Sequence, residues 1–401
     1  MRFAIYTLGC KVNHYDSQRI REGLLAAGHT EQSFTEPGAD RYIINTCTVT
    51  HRADAEGRRL VRRALRLGGR VVVTGCLVTV YPESIRAISP DVEVVRPDHL
   101  TEVLGVELPR FISGFGSQSR AYIMVQQGCD RYCTYCIVPL ARGGPVSRPW
   151  QDVVTEARIL HGKGFREVVL TGINIGLYEG GFSRLVQKVL SHTDMPRIRI
   201  SSIEPWTVED GLIDLVANEP RICRHLHLPL QHGSDGVLRA MGRPYSAGHV
   251  RSLMRRIREV SPGTAVGADV IVGFPGEDDQ AFAESHAIIE DLGFTYLHVF
   301  PFSTRPGTAA ANLPGRPDDA VISRRAAALR ALSRKSREAF AASRIGAEEE
   351  VLITQSCDGR VRGLSSSYIV VDAPGRAVQG DIVRVRMIDL EGQTLQGEFS
   401  G

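Results

Sequence analysis

Two patterns of apolar and polar positions alternate along the first hundred residues: short apolar runs and longer amphipathic stretches. The apolar runs RFAIYT, YIIN and VVVTG are each followed by an amphipathic stretch, and these stretches predict helices near 15–27, 52–67 and 82–88. A strand followed by a helix, repeated in this way, is typical of a small parallel α/β domain. We assign residues 1–112 to this domain. The segment 105–119 is rich in Gly, Ser and Pro and predicts a linker.

The same order of strand and helix resumes near residue 120. Six strands are predicted from AYIMVQ, EVVLTG, RIRISS, HLHLPL, AVGADVIVG and YLHVFPF, with helices between them at 151–163, 182–192, 208–218, 246–260 and 278–291. Six strands, where a closed barrel has eight, favour a partial (β/α)6 barrel over residues 120–316. The chemistry of such a barrel lies at the C-terminal ends of its strands.

A long helix and a small β-structure complete the predicted fold. Residues 317–344 are rich in Ala, Leu and Arg and predict a basic connecting helix. Residues 345–401 alternate like short strands separated by glycine turns, which predicts a small C-terminal β-barrel. The fold class is therefore α/β, with an N-terminal parallel domain, a central partial barrel and a terminal β-barrel.

Composition excludes several classes of protein. The chain has 401 residues, of which 43% are apolar, so it can bury more than one core. No apolar run reaches the roughly 18 residues that a membrane span needs, and the N-terminus MRFAIYTLGC lacks the pattern of a signal peptide. We expect a cytoplasmic, monomeric protein without membrane contact.

Three of the eight cysteines form a compact motif. Cys129, Cys133 and Cys136 follow a predicted strand as CxxxCxxC, so one loop presents three sulfurs to one group. Three thiolates leave one iron of a 4Fe-4S cluster open. Zinc usually takes a fourth Cys or His nearby, and none follows in IVPLARGGP. The spacing therefore favours an iron-sulfur cluster.

A second set of three cysteines is dispersed along the N-terminal domain. Cys10, Cys47 and Cys76 each come just after a predicted strand. Because the carboxyl ends of parallel strands meet at one edge of a sheet, we expect these thiols to lie close together. They would then hold a second cluster, with its own open iron. The alternative is three isolated buried thiols.

These motifs resemble those of the radical S-adenosylmethionine (SAM) methylthiotransferases. The CxxxCxxC loop resembles the cluster loop of the radical-SAM superfamily, and TLGCKVN, NTCTVT and VTGC resemble the N-terminal motifs of its methylthiotransferases. The strand-end segments LARGGPVSR, HLHLPLQHGSD and VIVGFPGE also resemble this family, and the terminal barrel resembles its TRAM domain. The resemblance implies two 4Fe-4S clusters and SAM as cofactors. One SAM would methylate a sulfur of the auxiliary cluster, and a second would be cleaved reductively at the CxxxCxxC cluster.

The resemblance also bears on substrate and partners. Lys11-Val12-Asn13 resembles the branch that methylthiolates carbon 2 of N6-threonylcarbamoyladenosine in tRNA, next to the anticodon. The alternatives are isopentenyladenosine in tRNA and an aspartate of a ribosomal protein, modified by the same chemistry. The implied partners are tRNA and a reduced electron donor such as flavodoxin or ferredoxin. A cluster carrier or tRNA-binding protein without activity would have no use for a SAM-binding barrel.

Several residues at the predicted strand ends are candidates for binding SAM. Gly172 would let the backbone approach the cofactor and Asn174 would hydrogen-bond to it, unless the two simply form a turn. Glu204 would bind the SAM amino group or pair with an arginine. Gln231, which ends the fourth predicted strand, is a further candidate.

Two further candidates come from the resemblance. Tyr135, before the third cysteine of the motif, would pack beside the cofactor. Gly273, within GFPGE, lies in the segment that would contact adenine.

Basic residues are placed unevenly, although the net charge is only +3. Two helical stretches are candidates for contacting RNA. They contain Arg59, Arg62, Arg63 and Arg66, and Arg324, Arg325, Arg330, Arg334, Lys335, Arg337 and Arg344. Residues 345–401 hold five Arg against nine Asp and Glu, which favours a limited local contact with RNA unless their arginines share one face.

Overall fold

The computed structural model describes residues 1–400. The N-terminal elements are β1 Arg2–Thr7, α1 Lys11–Ala26, β2 Thr30–Glu31, β3 Arg41–Thr46, α2 His51–Leu67, β4 Arg70–Gly75, α3 Cys76–Val80, α4 Glu83–Arg86, β5 Val92–Val94 and α5 Leu100–Leu104. The five strands form a parallel sheet in the order β2-β1-β3-β4-β5. Successive strand residues face opposite sides, so Ile44 packs with Leu60 of α2 and Ile43 packs with Leu24 of α1.

The central elements build an open barrel. They are β6 Ala121–Gln127, α6 Val138–Arg142, β7 Val146–Ser147, α7 Trp150–Gly162, β8 Glu167–Gly172, α8 Phe182–His192, β9 Arg197–Ile200, α9 Asp210–Asn218, β10 His225–Gln231, α10 Asp235–Ala240, α11 Ala247–Val260, β11 Ala265–Val272, α12 Asp279–Leu292 and β12 Tyr296–Pro301. The strands β6-β8-β9 and β10-β11-β12 form parallel sheets, and β7 pairs antiparallel with β6. The two sheets meet at a single parallel bridge between Ser202 and His227.

The last elements are a long helix and a closed barrel: α13 Asp319–Ala342, β13 Glu348–Cys357, β14 Arg360–Ser365, β15 Val370–Pro374, β16 Ile382–Glu391 and β17 Thr394–Phe399. The strands of the terminal barrel follow the order β13-β14-β15-β17-β16. The predicted α/β class, the six-unit partial barrel and the C-terminal β-barrel are therefore confirmed.

The helix α1 joins the N-terminal sheet to the partial barrel. Tyr15 of α1 donates a hydrogen bond to the buried carboxylate of Glu156 on α7 at 2.8 Å. Arg148 pairs with the same carboxylate at 2.6 Å. The segment predicted as a linker also takes part, because Ile112 is fully buried and its backbone N–H donates to Glu156. The middle of this segment is therefore packed between the two units, while residues 116–118 are exposed.

The terminal barrel docks at the N-terminal end of the partial barrel through buried charge. Glu167 at the start of β8 pairs with Arg197 at 2.7 Å and with Arg199 at 3.0 Å. The same two guanidiniums donate to backbone carbonyls of the terminal barrel, among them Leu364 and Ser365. The terminal barrel thus supplies acceptors to both buried guanidiniums, and only Nε of Arg197 has no partner within residues 1–400.

The helix α13 lies along β12 with one face buried. Arg325 on that face is buried and pairs with Glu277 at 2.9 Å and Asp279 at 2.7 Å. Arg344 pairs with Glu349 at 2.7 Å. These two members of the predicted RNA-binding set are therefore committed to internal ion pairs. Within residues 1–400, none of the helices has the length and apolar character to cross a membrane.

Candidate active site

The three dispersed cysteines meet at one edge of the N-terminal sheet. Cys10 is the N-cap of α1, Cys47 follows β3, and Cys76 begins α3 directly after β4. The strands β1, β3 and β4 are neighbours, with Thr7 beside Asn45 and Thr46 beside Gly75. The sheet topology thus brings together residues that are 37 and 29 positions apart.

Two glycines allow this close approach. A Cβ at Gly9, which has φ +105°, would lie 2.7 Å from the Cβ of Cys47. A Cβ at Gly75, with φ +94°, would lie 2.5 Å from the carbonyl oxygen of Thr46. Real side chains do not tolerate such distances, so both turns require glycine.

Asn13 organises the three cysteine segments from the first turns of α1. Its side-chain amide donates to the carbonyls of Leu8 at 2.7 Å and Thr46 at 2.9 Å. Its Oδ1 lies 3.9 Å from the sulfurs of both Cys10 and Cys76. The residue is fully buried. One amide therefore ties the loops after β1 and β3 to the helix that carries Cys10.

Arg142 reaches this edge from the partial barrel. Its guanidinium pairs with Asp16 at 2.8 Å and donates to Asn13 Oδ1. Burial raises the pKa of Cys76, although the nearby Arg142 opposes the change. Burial likewise raises the pKa of Cys47 to about 12, against a hydrogen bond from the backbone at Val49. Coordination to a cationic metal centre is the usual way in which such thiols become thiolates.

The CxxxCxxC loop is held by its neighbours in the partial barrel. Gly128 follows β6 with φ +73°, and a Cβ there would lie 1.9 Å from the carbonyl oxygen of Gly144. The N–H of Cys129 donates to the carbonyl of Gly143 at 2.9 Å. Thr134 bonds through its N–H to Met241 and through its carbonyl to Ala310. These backbone hydrogen bonds hold the loop on both sides.

Arg243 places a positive charge against this loop. Its Nη1 donates to the sulfur of Cys133 at 3.3 Å, and its Nη2 pairs with Glu204. The guanidinium also lies over the rings of Trp206 and Tyr245, at 4.7 Å and 5.1 Å from their centroids. Of the two roles expected for Glu204, the structure contains the pairing with an arginine. Hydrogen bonds to cluster sulfurs are one determinant of reduction potential.

Asn174 and Gln231 border the same region. Asn174 lies with its Nδ2 3.9 Å from the sulfur of Cys129, and its buried Oδ1 has no hydrogen-bond partner within residues 1–400. Gln231 adopts φ +65°, which is uncommon for a residue other than glycine. It lines a cavity of about 210 Å³ together with Tyr135, Cys136 and Val49.

The two candidate glycines have close neighbours of their own. A Cβ at Gly172 would lie 2.6 Å from the carbonyl oxygen of Gln126 and 2.9 Å from the side chain of Ile175. A Cβ at Gly273, which has φ +79°, would lie 2.4 Å from Ile322 on α13. Packing alone therefore requires glycine at both positions, whatever their contact with a cofactor.

Three polar residues in the barrel interior, His227, Asp269 and His298, form a cluster that the sequence did not predict as part of the site. His227 lies 2.9 Å from Asp269, and His298 lies 3.2 Å from the same carboxylate oxygen. Burial raises the pKa of Asp269, but hydrogen bonds from the two histidines outweigh it and hold that pKa well below its usual range. His227 also bonds to the hydroxyl of Tyr296 at 3.1 Å.

The donor sets fit iron-sulfur clusters better than single ions. A zinc ion with bonds of about 2.3 Å to sulfur needs its ligand atoms close together. Among residues 1–400, His227, Asp269 and His298 are the only group of three whose ligand atoms all lie within 4.8 Å of one another. Neither set of cysteines is that tight. A cubane attaches its thiolates to different iron atoms and accepts the wider spacing.

Comparisons with known proteins agree with this geometry. Residues 123–288 match the family described as "Radical SAM superfamily", and residues 2–96 match the family described as "Uncharacterized protein family UPF0004". The chain is 34% identical to "Threonylcarbamoyladenosine tRNA methylthiotransferase MtaB" of Bacillus subtilis (strain 168), over 99% of this chain and 96% of the relative. The chain belongs to the radical-SAM methylthiotransferase family.

Other members of this methylthiotransferase family are similar over their whole length. The MtaB protein of Chlamydia pneumoniae is 35% identical over 99% of this chain and 98% of the relative. A "tRNA-2-methylthio-N(6)-dimethylallyladenosine synthase" of Novosphingobium aromaticivorans is 32% identical over 99% and 97%. The solved radical-SAM methyltransferase TsrM from Kitasatospora setae shares the fold, with a TM-score of 0.55, 18% identity and 77% of each chain covered. As a family member, the protein uses SAM and an iron-sulfur cluster.

The sequence did not predict a role in the site for three residues: Asn13, Arg142 and Arg243. Each of them contacts a segment that is distant in the sequence. Arginine is also so frequent in this chain that no single arginine is distinctive. The quoted segments KVN and LARGGPVSR contain the first two. Their functional part is visible only when the sheet edge and the barrel are placed together.

Proposed function

We propose that this methylthiotransferase modifies carbon 2 of N6-threonylcarbamoyladenosine in tRNA, next to the anticodon, using two SAM molecules and two 4Fe-4S clusters. The MtaB relatives from Bacillus subtilis and Chlamydia pneumoniae carry this nucleoside in their names. The relative from Novosphingobium aromaticivorans is named for dimethylallyladenosine at similar identity, so this nucleoside is the alternative substrate. The partners we propose are tRNA and a reduced donor such as flavodoxin or ferredoxin, acting on a monomer in the cytoplasm.

One observation carries the proposal: the loop that follows Cys47 and the loop that carries Cys136 line the same cavity. Its wall includes Val49 and Thr50, just after Cys47, together with Tyr135 and Cys136. A base in this cavity would lie between a cluster on Cys10, Cys47 and Cys76 and a cluster on Cys129, Cys133 and Cys136. Transfer of a group between two centres needs such proximity.

The residues of the chain have separable roles in this proposal. The bound clusters and SAM supply radical formation and the methylthio group. Arg142 and Asn13 hold the first three cysteine segments in register. Arg243 keeps a positive charge against Cys133, and Asn174 offers its free Oδ1 to a ligand. Tyr135, Gln231 and the backbone at Gly172 and Gly273 would form the wall around SAM, with Glu204 beside its amino group.

We propose that the chain divides into four units. Residues 1–112 would hold the auxiliary cluster, 120–316 would cleave SAM, 317–344 would form a basic connecting helix, and 345–401 would form a TRAM-like barrel.

The decisive experiment measures the modified nucleosides. Anaerobically reconstituted protein is incubated with SAM, reductant and tRNA that carries either threonylcarbamoyladenosine or dimethylallyladenosine, and the digested nucleosides are analysed by mass spectrometry. We expect a gain of one methylthio group on threonylcarbamoyladenosine alone. Modification of dimethylallyladenosine instead would assign the chain to the other substrate, and modification of neither would refute tRNA as substrate.

A further inference from the structure

The loop that follows β12 contacts the N-terminal unit beside the dispersed cysteines. We call residues 302–310 the β12 loop. The side-chain oxygen of Ser303 accepts a hydrogen bond from the backbone N–H of His51 at 3.0 Å. The carbonyl of Pro306 accepts one from the hydroxyl of Tyr81 at 2.7 Å. His51 and Tyr81 each lie a few residues after a cysteine of the dispersed set, so the β12 loop is anchored close to both.

Arg305 is the central residue of this contact. Its side chain is 4% exposed, and its Nη2 pairs with the buried carboxylate of Asp54 on α2 at 2.7 Å. Its Nη1 donates to the backbone carbonyl of Thr48, the residue after Cys47, at 3.1 Å. The hydroxyl of Thr48 donates to the same Asp54 carboxylate at 2.7 Å. These three residues therefore bond to one another directly after Cys47.

The β12 loop is also bonded to the CxxxCxxC loop. The backbone N–H of Ala310 donates to the carbonyl of Thr134, which lies within that motif, at 2.7 Å. Thr308 joins this contact to the first one, because its hydroxyl and its N–H both donate to the carbonyl of Arg305, at 2.7 Å and 3.1 Å. The β12 loop therefore ties the segment after Cys47 to the CxxxCxxC loop by a short path of hydrogen bonds.

This path borders the cavity of the candidate site. Val49 and Thr50 line the cavity from the N-terminal unit, and Phe302 and Ser303 line it from the β12 loop. The bonds made by Arg305 hold these two parts of the wall together. A change in those bonds would therefore alter the width of the cavity.

The chemistry of arginine suits this position. A planar guanidinium donates in two fixed directions, and Arg305 uses one for a carbonyl and the other for a carboxylate. A lysine offers a point charge on a flexible stem and does not fix both partners. Exchanging a buried ion pair for apolar residues of similar volume is often neutral or stabilising, so stability alone does not account for such a pair. The fixed geometry of the two bonds does account for it.

We propose that Arg305 is a positioning residue that sets the separation between the two cysteine sets, through Asp54 and Thr48. The inference rests on the proposed function, because it requires that both sets hold clusters. Transfer of a group between two centres depends strongly on their geometry, whereas SAM cleavage requires the CxxxCxxC cluster alone. Disturbing Arg305 should therefore uncouple SAM cleavage from methylthio transfer.

The test uses the reconstituted full-length protein with SAM, reductant and tRNA. The tRNA carries threonylcarbamoyladenosine or dimethylallyladenosine, whichever the unaltered protein modifies. One variant is Arg305→Lys, and a second combines Arg305→Met with Asp54→Asn, which leaves no unpaired buried charge. The matched control is Arg251→Met, which breaks an exposed ion pair with Asp291. Circular dichroism and iron content are measured for every variant.

The first measured quantity is the number of 5′-deoxyadenosine molecules formed per methylthio group transferred. In both Arg305 variants we expect this ratio to rise by at least about tenfold, because a misplacement of about 1 Å can cost on the order of 100-fold in rate. Arg251→Met should keep the ratio of the unaltered protein.

The second quantity is the electron paramagnetic resonance spectrum of the reduced protein. Two reduced clusters are both paramagnetic, and the magnetic interaction between them falls steeply with their separation. The line shape that this interaction produces should change in the Arg305 variants and not in the control.

The possible outcomes separate the inference from the proposed function. An unchanged ratio in folded, fully loaded variants would overturn the role of Arg305, and so would an unchanged magnetic interaction. Equal loss of cleavage and transfer would also overturn it, because it would show a general effect on the fold. If the double variant loses iron, Arg305→Lys decides. An unaltered protein that transfers no methylthio group, or that holds the iron of one cluster only, would reject the proposed function and the inference with it.

Discussion

The guanidinium of Arg142 and the carboxylate of Asp16 form an ion pair at 2.8 Å. Arg142 ends the helix that follows the CxxxCxxC loop, and Asp16 lies on the helix that begins at Cys10. The pair therefore connects the two cysteine sets by a short path through both units. It is mostly buried on the arginine side, where an ion pair resists screening by salt better than a surface pair does.

Iron content tests the number of clusters. Reconstituted protein should contain about eight iron and eight sulfide ions per chain, which is four of each per cubane. Simultaneous Ala substitution of Cys10, Cys47 and Cys76 should remove half of both, because these thiols hold one cluster. Colorimetric iron and sulfide assays provide the measurement. If the triple variant keeps all its iron, the auxiliary cluster does not exist.

Single substitutions separate the roles of the two sets. Cys133→Ala should abolish formation of 5′-deoxyadenosine from SAM, because the SAM-binding cluster loses a ligand. Cys47→Ala should retain that cleavage and lose methylthio transfer. Both products are quantified by mass spectrometry after anaerobic turnover. Equal loss of cleavage in two correctly folded variants would contradict the division of roles.

Glu167, the buried carboxylate at the contact with the terminal barrel, should contribute strongly to the free energy of unfolding. Burial raises the pKa of Glu167, but Arg199, Arg197 and Arg120 outweigh it and hold the pKa well below its usual range. Its stabilising effect is therefore complete above the unfolded pKa of about 4.3 and is lost as pH falls toward the folded value. Glu167→Gln should cost about 3–5 kcal/mol at neutral pH, because it leaves buried arginines without a counter-charge.

The measurement for Glu167 is urea unfolding at pH 7 and pH 3. The control is Glu83→Gln, which breaks an exposed pair with Arg86 and should change the free energy of unfolding by less than about 0.5 kcal/mol. Loss of stability between the two pH values should be smaller in Glu167→Gln than in the unaltered protein. A neutral effect of Glu167→Gln at pH 7 would show that the contact is not held by this charge.

RNA binding should depend on the exposed face of α13. Arg324, Arg330 and Arg334 are exposed there, whereas Arg337 packs over Tyr296. Replacing the three exposed arginines with Ala should weaken tRNA binding and reduce its salt dependence, since each lost phosphate contact releases roughly one fewer counterion. The matched variant replaces Arg360 and Arg362 of the acidic terminal barrel and should change the slope less. The reverse order would make the terminal barrel the main RNA contact.

Much of this site followed from the sequence because its determinants are local. The carboxyl ends of parallel strands coincide by topology, so the positions of Cys10, Cys47 and Cys76 after apolar runs were sufficient to bring them together. The spacing of Cys129, Cys133 and Cys136 was equally informative. The partners of Glu204 and Arg325 could not be predicted in this way, because Arg243 and Glu277 lie on loops whose positions depend on tertiary packing. The helical pattern of α13 shows that one face is buried, but not that Arg325 on that face meets Glu277.

The end of β14 at Leu364 and Ser365 is held by Arg197 and Arg199, at the end of the partial barrel remote from both cysteine sets. A domain joined only by a flexible linker samples many positions, but this contact gives the terminal barrel one fixed position. If a tRNA touches the terminal barrel while its base occupies the cavity, the span between those two points is set by the protein. Selection of the nucleotide then depends on length along the anticodon arm as well as on the base itself.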